Sequence, residues 1–464
     1  MFKKFAIMIF GFMLASCAVL NNKSYVSMTG GSYDKSKEFV MFQGLETEGV
    51  FKVAMLLPLS GKSSMYGIGL KNAALMALED TNNQNLVLKF YDTKSSPQGA
   101  EEAVNFAIKD DVNLILGPLM SDEVSAAGDR ALNNNIPLIS FSTSPNVLKE
   151  GVYTLGLLGN EQIRRIISYA ASKQRSKIAV MVPDTTAGLN MAKSAVLSAS
   201  KYGVEVVKIG FYPADTLDFA PIVKEITDYE ARSEEISKRK KELEKLAEKG
   251  DKEAQKELKQ IKNVYTTGEV DFDTVLIAET SNRLKSAAVM FGYYDIYYPD
   301  IMFLGTSIWE NTNLNKETTL YHGVYPVISR VHNNYFNKKY EKLFGAAPNQ
   351  LYSFAYDGVA LASALANENH ENIYNNITDS NGYIGINGAF RILKDGTNEH
   401  SLDVVEVTQN GPKVVSKAPE KFSDDTEFNT FVNINSFPKV FGKDAHVVQE
   451  YIIGKEKEHS GFIF

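Results

Sequence analysis

The chain has 464 residues, of which 44% are hydrophobic and 11% aromatic, and its formal net charge is −7. This composition is typical of a globular protein of two or three domains and excludes a mainly disordered chain. The mild acidity argues against a nucleic-acid-binding protein, which needs a clustered basic face. No internal apolar run reaches the roughly 18 residues that indicate a membrane-spanning helix.

The N-terminus, MFKKFAIMIFGFMLASC, has the three parts of a secretory signal: a basic start, an apolar stretch and a small-residue cleavage site. Its end, Leu14-Ala15-Ser16-Cys17, resembles the lipobox of bacterial lipoproteins. That resemblance implies a signal peptide over residues 1–16 and a lipid on Cys17. The alternative is a signal peptide with a chance cysteine.

The lipobox also implies a location. By analogy with such lipoproteins, Ala18 rather than Asp after the cysteine favours the outer membrane of a Gram-negative cell, facing the periplasm. The lipid anchor would be the only membrane contact. Cys17 is the single cysteine, so an internal disulfide is excluded. Residues 17–50 are predicted to be a flexible tether.

From residue 51, short apolar runs alternate with stretches of helical spacing. Such alternation predicts parallel sheets built from right-handed βαβ units, and the span is too long for one sheet. The sequence therefore predicts two doubly wound α/β lobes. The predicted strands are Val53–Leu57, Leu86–Phe90, Asn113–Leu116, Ile136–Ser140, Ile178–Val182, Val204–Phe211, Thr274–Ala278 and Ile301–Leu304.

The stretch VAMLLPLSGKSSMYGIG, which starts at Val53, has the strand, glycine and Lys-Ser order of a nucleotide-binding loop. A phosphate loop needs a further glycine five residues before its Gly-Lys pair, and Leu56 stands there. Pro58 also removes a backbone donor from the turn. The sequence therefore argues against a nucleotide site, and Lys62 is interpreted as a solvated lysine on a loop.

Other signatures of catalysis are weak. The six histidines lack metal-ligand spacing, and no Gly-x-Ser-x-Gly motif occurs. Ser198-Ala-Ser-Lys201 fits a Ser-x-x-Lys pattern, but the companion motifs of penicillin-recognising enzymes are missing. We therefore expect a non-enzymatic protein without metal or cofactor.

The best candidates for binding are loops at the carboxyl ends of predicted strands, where open α/β sheets bind ligands. Hydroxyls and free N–H groups at a helix N-terminus can hold a small anion. A helix-capping role is the alternative for Ser121, before Asp122, and for Ser144, before Pro145. The candidate residues are Ser60, Gly61, Ser121, Ser142, Thr143 and the strand-end carboxylates Asp184 and Glu279.

Residues 228–262 hold ten acidic and eleven basic side chains in thirty-five positions. Three i,i+4 pairs, Asp228–Arg232, Glu234–Lys238 and Glu235–Arg239, favour helix. Gly250-Asp251 marks a turn, so a two-helix hairpin is predicted. It is either a solvated insertion or a docking arm for another protein. Residues 416–464 lack a sustained period and are predicted to be a loosely ordered extension.

Several segments resemble the leucine/isoleucine/valine-type periplasmic binding proteins, two-lobed α/β proteins that close on a ligand. They are KVAMLLPLSGKSSMYGIGLKNAALMALE, LILGPLMSDEVSAAG, NNIPLISFSTSP, KIAVMVPDTTAG and YSFAYDGVALASAL. The resemblance covers about residues 51–410 and implies three crossovers between lobes. It divides the chain into lobe 1 (51–157 and 325–383) and lobe 2 (158–324 and 384–415).

Within that superfamily the chain resembles the penicillin-binding protein activators of Gram-negative bacteria. The lipobox, the charged hairpin and GYIGINGAFRILKDGTNEHSLDVVEV carry this resemblance. It implies a regulator that binds a peptidoglycan-synthesising penicillin-binding protein. The alternative is a solute-binding lipoprotein of an ABC-type importer for branched-chain amino acids or amides.

The resemblance to amino-acid receptors also implies contacts for a small amino-acid-like ligand. Ser121, Ser142 and Thr143 fall near the family's hydroxyl contacts, and Glu279 and Glu310 fall near its ammonium contacts. Two features depart from that pattern. Ala187 stands near where an aromatic ring usually closes over the ligand, and Asp122 and Glu123 would repel an anion.

Overall fold

The computed structural model describes residues 39–40, 49–368, 372–422 and 437–453. The predicted signal peptide, Cys17 and most of the tether lie outside the described residues. Within the tether range, Phe39 and Val40 pair antiparallel with Lys89 and Leu88, so this short part of the segment belongs to a sheet.

The first lobe is built from βα units whose strands β2 to β6 are largely buried. Its strands are β1 (Phe39–Val40), β2 (Phe51–Leu57), β3 (Leu86–Asp92), β4 (Leu114–Leu116), β5 (Leu138–Ser140) and β6 (Val152–Thr154), and its helices α1 (Ser64–Thr81), α2 (Pro97–Lys109) and α3 (Ser121–Asn133). The sheet order is β1-β3-β2-β4-β5-β6, and β2 to β6 are mutually parallel. Strands this apolar form parallel sheets because helices cover both faces.

The chain then crosses into the second lobe. Its first part comprises α4 (Gly159–Ser172), β7 (Lys177–Pro183), α5 (Thr186–Lys201), β8 (Glu205–Tyr212), α6 (Ala220–Ile226), α7 (Tyr229–Glu248), α8 (Lys252–Ile261), β9 (Thr274–Ile277), α9 (Ser281–Tyr293), β10 (Met302–Leu304) and β11 (Val324–Ile328). β7 to β11 are parallel to one another, as expected for a doubly wound sheet.

The chain returns to the first lobe after β11. The helices α10 (Arg330–Phe344), α11 (Tyr352–Leu365) and α12 (Ile373–Ile377) precede a small antiparallel sheet of β12 (Tyr383–Gly385), β13 (Gly388–Ile392) and β14 (Asn398–His400). Phe390 and Ile392 pack in the first-lobe core. A third crossover leads back to β15 (Leu402–Glu406) and β16 (Lys413–Ser416) in the second sheet.

These positions confirm the predicted fold class and all eight predicted strands. The lobe boundaries differ in two places. The sequence assigns residues from 325 onward to lobe 1, but residues 324–328 join the second sheet. It assigns residues 384–400 to lobe 2, but these residues pack on the first lobe. Which sheet a strand joins depends on its pairing partner, and the apolar pattern of the strand does not identify that partner.

The charged insertion is a two-helix hairpin, α7 and α8, as predicted. Gly250 turns with φ +87°, and Asp251 caps α8 by accepting the N–H groups of Glu253 and Ala254. Of the three predicted i,i+4 pairs, Glu234–Lys238 forms at 2.7 Å. The ion pairs Asp228–Arg232 and Glu235–Arg239 do not form, because Asp228 and Arg239 bind partners elsewhere in the fold.

Those partners lie on other elements. Asp228 pairs with the buried Lys208 of β8. Arg239 instead forms a bidentate pair with Glu257 of α8, at 2.9 and 2.8 Å. Such pairs between helices depend on how the helices pack, which the i,i+4 rule does not address.

The C-terminal extension is more ordered than predicted over residues 437–453. Here β17 (Lys439–Phe441) pairs parallel with β8, and α13 (Ala445–Ile453) packs on α5. The second sheet therefore has eight strands in the order β16-β15-β11-β10-β9-β7-β8-β17. The predicted irregularity was wrong there because a three-residue strand and a nine-residue helix are too short to show a period.

We expect Val448→Ala to lower the free energy of unfolding by about 2 kcal/mol, since it removes two fully buried methyl groups. Val448 is completely buried in the second-lobe core, whereas its neighbour Val447 is 50% exposed. Val447→Ala is therefore the matched control and should change stability little. Urea denaturation measures both, and equal effects would show that α13 does not pack as described.

Candidate ligand-binding cleft

The carboxyl ends of the parallel strands lie along one edge of each sheet. The chain leaves the first lobe directly after β6 and returns directly after β11, so both crossovers start from these edges. The loops that follow the strands in the two lobes are therefore the candidates for the walls of a ligand-binding cleft. Open α/β sheets bind ligands at this position.

Ser60 and Gly61 lie on the first-lobe rim and are exposed. The Ser60 hydroxyl donates to Asp92 Oδ2 at 2.6 Å, and its N–H donates to Oδ1 at 3.0 Å. Gly61 has φ +81°, and a Cβ there would lie 2.7 Å from the carbonyl oxygen of Lys94. The loop is thus held by Asp92 in a conformation that favours glycine.

Ser121 is the first residue of α3, and its N-cap is Met120. The predicted capping role of Ser121 is therefore wrong. Glu123 lies in the same turn, is only 1% exposed, and its carboxyl lies beside the Met120 backbone and the Thr93 hydroxyl without a hydrogen bond of regular geometry. A glutamate at this position commonly reaches back to the N-cap N–H.

Burial raises the pKa of Glu123 to about 7, and the nearby Asp122 and Asp92 carboxylates act in the same direction. A large share of Glu123 is therefore protonated near neutral pH, and its carboxyl then offers an O–H donor. The two full negative charges expected at the start of α3 are reduced to Asp122, which is exposed, and a partly charged Glu123. Repulsion of an anion is correspondingly weaker than the sequence predicts.

Ser142 and Thr143 follow β5. Ser142 is buried, its hydroxyl accepts the Ser144 N–H at 3.2 Å, and its carbonyl accepts the Thr154 hydroxyl at 2.6 Å. Thr143 is exposed on the rim. Ser144 precedes a 3-10 turn that begins with Pro145, as the capping alternative predicts, although Ser144 makes no side-chain capping bond.

The second-lobe rim carries carboxylates that are already paired. Asp184 binds Lys443 of the C-terminal segment at 2.6 Å. Glu279 accepts from Arg283 Nε at 2.8 Å and from the Tyr212 hydroxyl at 3.1 Å. Burial raises the pKa of Tyr212, as does the adjacent Glu279 carboxylate, so the phenol stays protonated and keeps donating.

Glu310 is exposed in a 3-10 segment, Ser307–Asn311. It borders an open depression of about 300 Å³ that is also lined by Thr312, Leu314 and Tyr325. Ala187, which stands where the family resemblance implies an aromatic ring, is exposed at the start of α5. The structure therefore gathers Asp184, Glu279 and Glu310 on one lobe and Ser60, Gly61, Ser121, Ser142 and Thr143 on the other.

Buried polar atoms without a hydrogen-bond partner concentrate along the same edges. Within the described residues such side-chain atoms occur in Asn72, Thr93, Glu123, Ser140, Thr306, Asn398 and His400. Thr93 and Ser140 lie at the ends of β3 and β5, and Thr306 lies just after β10. Native proteins rarely leave such groups unpaired, so water or a ligand is their usual partner.

Sequence reasoning missed Thr93, Ser140 and Thr306. Each is a hydroxyl residue at or just after the end of an apolar strand, and this signal was available in the sequence. Their burial was not, because it depends on the helices that pack over the strand ends.

The first crossover, after β6, is held by β14. Asn398 Nδ2 donates to the carbonyl oxygens of Thr154 and Gly156, both at 2.9 Å. His400 Nε2 lies 3.2 Å from the carbonyl oxygen of Leu155. Burial lowers the pKa of His400 to about 4, so the imidazole is neutral at physiological pH and donates through Nε2.

This shift gives a testable pH dependence. The folded-state pKa of His400 lies below its ordinary value of 6.5. The contribution of the neutral imidazole to the free energy of unfolding is therefore complete above pH 6.5 and is lost as the pH falls towards 4. We expect the wild type to lose about 2–3 kcal/mol more stability between pH 7 and pH 4 than His400→Gln. The glutamine keeps a hydrogen-bond donor but has no group that titrates in this range. Urea denaturation at both pH values measures this difference, and parallel losses would contradict it.

In the described part of the chain, no group of three or more His, Cys, Asp or Glu side chains is arranged to hold a metal ion. None of the described helices combines the length and apolar character needed to cross a membrane.

The fold and the cleft define a two-lobed α/β binding protein. A family model described as periplasmic binding protein matches residues 50–412, and the chain belongs to this family. The chain is 26% identical over 187 residues to the Leu/Ile/Val-binding protein BraC3 of Rhizobium johnstonii, a match covering 38% of this chain and 50% of that protein. It is also 26% identical over 130 residues to the uncharacterized protein RP748 of Rickettsia prowazekii, covering 28% of this chain and 35% of that protein. The chain thus spans a third to a half of these curated relatives.

Solved structures show the same fold. A putative branched-chain amino acid ABC transporter protein from Rhodospirillum rubrum has 16% identity and a TM-score of 0.63, covering 79% of this chain and 100% of that one. The leucine-, isoleucine-, valine-, threonine- and alanine-binding protein from Brucella ovis, in a closed conformation, has 16% identity and a TM-score of 0.54, covering 80% and 93%. At such identities the likeness shows the fold alone.

Proposed function

We propose that this chain is a non-enzymatic binding protein whose cleft takes a small amino-acid-like solute for an ABC-type importer. The observation that carries the proposal is a set of buried polar groups without a hydrogen bond of regular geometry, at or beside the strand ends of both lobes: Thr93, Glu123 and Ser140 on one side and Thr306 on the other. The similarity to the Leu/Ile/Val-binding protein BraC3 supports it. The lipobox supports anchoring through Cys17 in the outer membrane, facing the periplasm.

The ligand class follows from the charges of the rim. Asp184 and Glu279 are paired with Lys443 and Arg283, so neither offers a free carboxylate to a ligand ammonium. The first-lobe side offers hydroxyls, a partly protonated Glu123 carboxyl and the exposed Asp122 carboxylate, which would repel the carboxylate of a zwitterion. Among the amino-acid-like ligands, we therefore favour a neutral amide over a zwitterionic amino acid.

Thermal shift with a panel of amino acids and uncharged aliphatic amides tests this proposal. A ligand at 100 times its dissociation constant stabilises the folded state by about 2.7 kcal/mol, which raises the melting temperature measurably. Thr143→Trp should abolish the shift by filling the rim. Asn134→Trp, an exposed change beyond the opposite end of α3, is the matched control and should keep it. If no amino acid or amide shifts the wild type, the proposal is wrong.

A second candidate function rests on the hairpin. It would dock a peptidoglycan-synthesising penicillin-binding protein, making the chain a regulator of cell-wall synthesis. The supporting observation is its rigid attachment: the buried Arg232 donates to the carbonyl oxygens of Thr227 and Tyr294 at 2.7 and 2.8 Å. A helix of twenty residues spans about 30 Å, so α7 could reach a partner.

Replacing residues 236–258 with a short Gly-Ser turn tests this second function without disturbing Arg232. We expect the variant to keep its melting temperature and to lose binding to a purified penicillin-binding protein. Unchanged binding would remove the hairpin from the mechanism. Binding that is absent in the wild type as well would remove this function altogether.

A further inference from the structure

Four charged side chains form a connected network beside the crossovers. On α4, Glu161 pairs with Arg164 one turn later. On the small antiparallel sheet, Arg391 Nε donates to Glu399 Oε2 at 2.6 Å. The two pairs meet where Arg164 lies 3.3 Å from Glu399 Oε1. Glu161, Arg391 and Glu399 are each at most 7% exposed.

The contact between Arg164 and Glu399 joins the two lobes. The helix α4 packs through Ile163, Ile166 and Ile167 in the core of the second lobe. The strands that carry Arg391 and Glu399 belong to the sheet whose Phe390 and Ile392 pack in the core of the first lobe. This ion pair therefore depends on the angle between the lobes.

Successive residues of β14 make contacts on opposite faces of the strand. Asn398 and His400 bind the carbonyl oxygens of residues 154–156, where the chain crosses between lobes. Glu399 lies between them and, because side chains alternate along a strand, points to the other face, towards Arg164. One strand thus fixes the crossover and reaches the other lobe.

The network can open without leaving an isolated charge. Each lobe retains a neutral pair of its own, Glu161 with Arg164 and Arg391 with Glu399, when the 3.3 Å contact is lost. A single buried charge without a partner would strongly destabilise the protein, whereas a buried pair of opposite charges is tolerated. This arrangement gives two permitted states, one joined and one separated.

We propose that the Arg164–Glu399 contact is an interlobe latch that holds the two lobes at one angle and opens when they rotate. This inference does not depend on which ligand the cleft takes or on the hairpin. It concerns the movement that any occupant of the cleft would have to induce.

Distances between spin labels on the two lobes test the latch in the full chain. In a Cys17→Ser background, Phe106→Cys on α2 and Val289→Cys on α9 place labels on exposed positions of separate lobes. In this doubly labelled parent protein, without further substitution, we expect a narrow distribution of distances between the two labels. Arg164→Met and Glu399→Gln should each broaden the distribution or shift it by several ångströms.

Arg165→Met is the matched control on the same helix. The Arg165 guanidinium donates to the Leu402 carbonyl oxygen, the Ser416 hydroxyl and the Lys417 carbonyl oxygen, all on the β15–β16 side of the second lobe. It should therefore keep the narrow distribution. If Arg165→Met broadens it equally, loosening of α4 explains the result and the latch is wrong.

Circular dichroism checks that each variant is folded. If Arg164→Met does not fold, Glu399→Gln, which preserves the size of the side chain, decides the question. Folded variants at position 164 or 399 that keep the distribution of the parent protein would overturn the proposal.

Discussion

Gly117→Ala is expected to destabilise the first lobe by about 4 kcal/mol, through an L-residue penalty of about 1–2 kcal/mol and overpacking of about 1–3 kcal/mol. Gly117 lies between β4 and α3 with φ +94°, and a Cβ there would lie 2.1 Å from the carbonyl oxygen of Leu56 in β2. That overlap is with backbone in the middle of the sheet, so a rotamer change cannot relieve it. Urea denaturation measures the loss.

Gly159→Ala is the matched control for this substitution. Gly159 begins α4 outside the left-handed region, and a Cβ added there would meet no neighbouring side chain or strand within 4 Å. We expect no loss of stability there, because alanine is a better helix former than glycine. If Gly117→Ala is tolerated equally well, the close approach of the Gly117 loop to β2 is wrong.

Arg232→Met is expected to lower the free energy of unfolding by about 3–5 kcal/mol. It removes the buried guanidinium and leaves two buried carbonyl oxygens without their hydrogen-bond donor. The side chain is 4% exposed and also donates to the Thr266 hydroxyl at 3.3 Å. Burial lowers the pKa of Arg232, while Asp295 and Asp228 nearby raise it. The substitution should release the base of the hairpin from α9.

Limited proteolysis separates this effect from a general loss of stability. We expect the first cleavage of Arg232→Met to fall within residues 228–266. Arg239→Met, which removes an exposed pair with Glu257, is the control and should cost about 1 kcal/mol or less. Equal effects of the two substitutions would contradict the described anchor.

The sequence predicted the alternation of strands and helices well because buried parallel strands are continuous apolar runs. It failed for β6 and β17, although the equally short β4, β5 and β10 were predicted. β6 and β17 have three residues each, and β17 exists because the edge of β8 is available for pairing. The same reason explains why residues 324–328 were assigned to the wrong lobe.

The candidate site shows the same division. That loops at strand ends would line a cleft follows from the rule for open α/β sheets. That Asp184 is paired does not follow, because Lys443 lies 259 residues further along the chain. The Glu279–Arg283 pair has i,i+4 spacing and could have been found from the sequence.

The sequence by itself determined the α/β class, the charged hairpin and the family, since these depend on local patterns of apolar and charged residues. The tertiary structure decided which polar groups are buried, which carboxylates are neutralised and which charges join the lobes. Glu399 illustrates the difference. Its partners Arg391 and Arg164 lie 8 and 235 residues away, and only the packing of α4 against β14 brings the second of them within 3.3 Å.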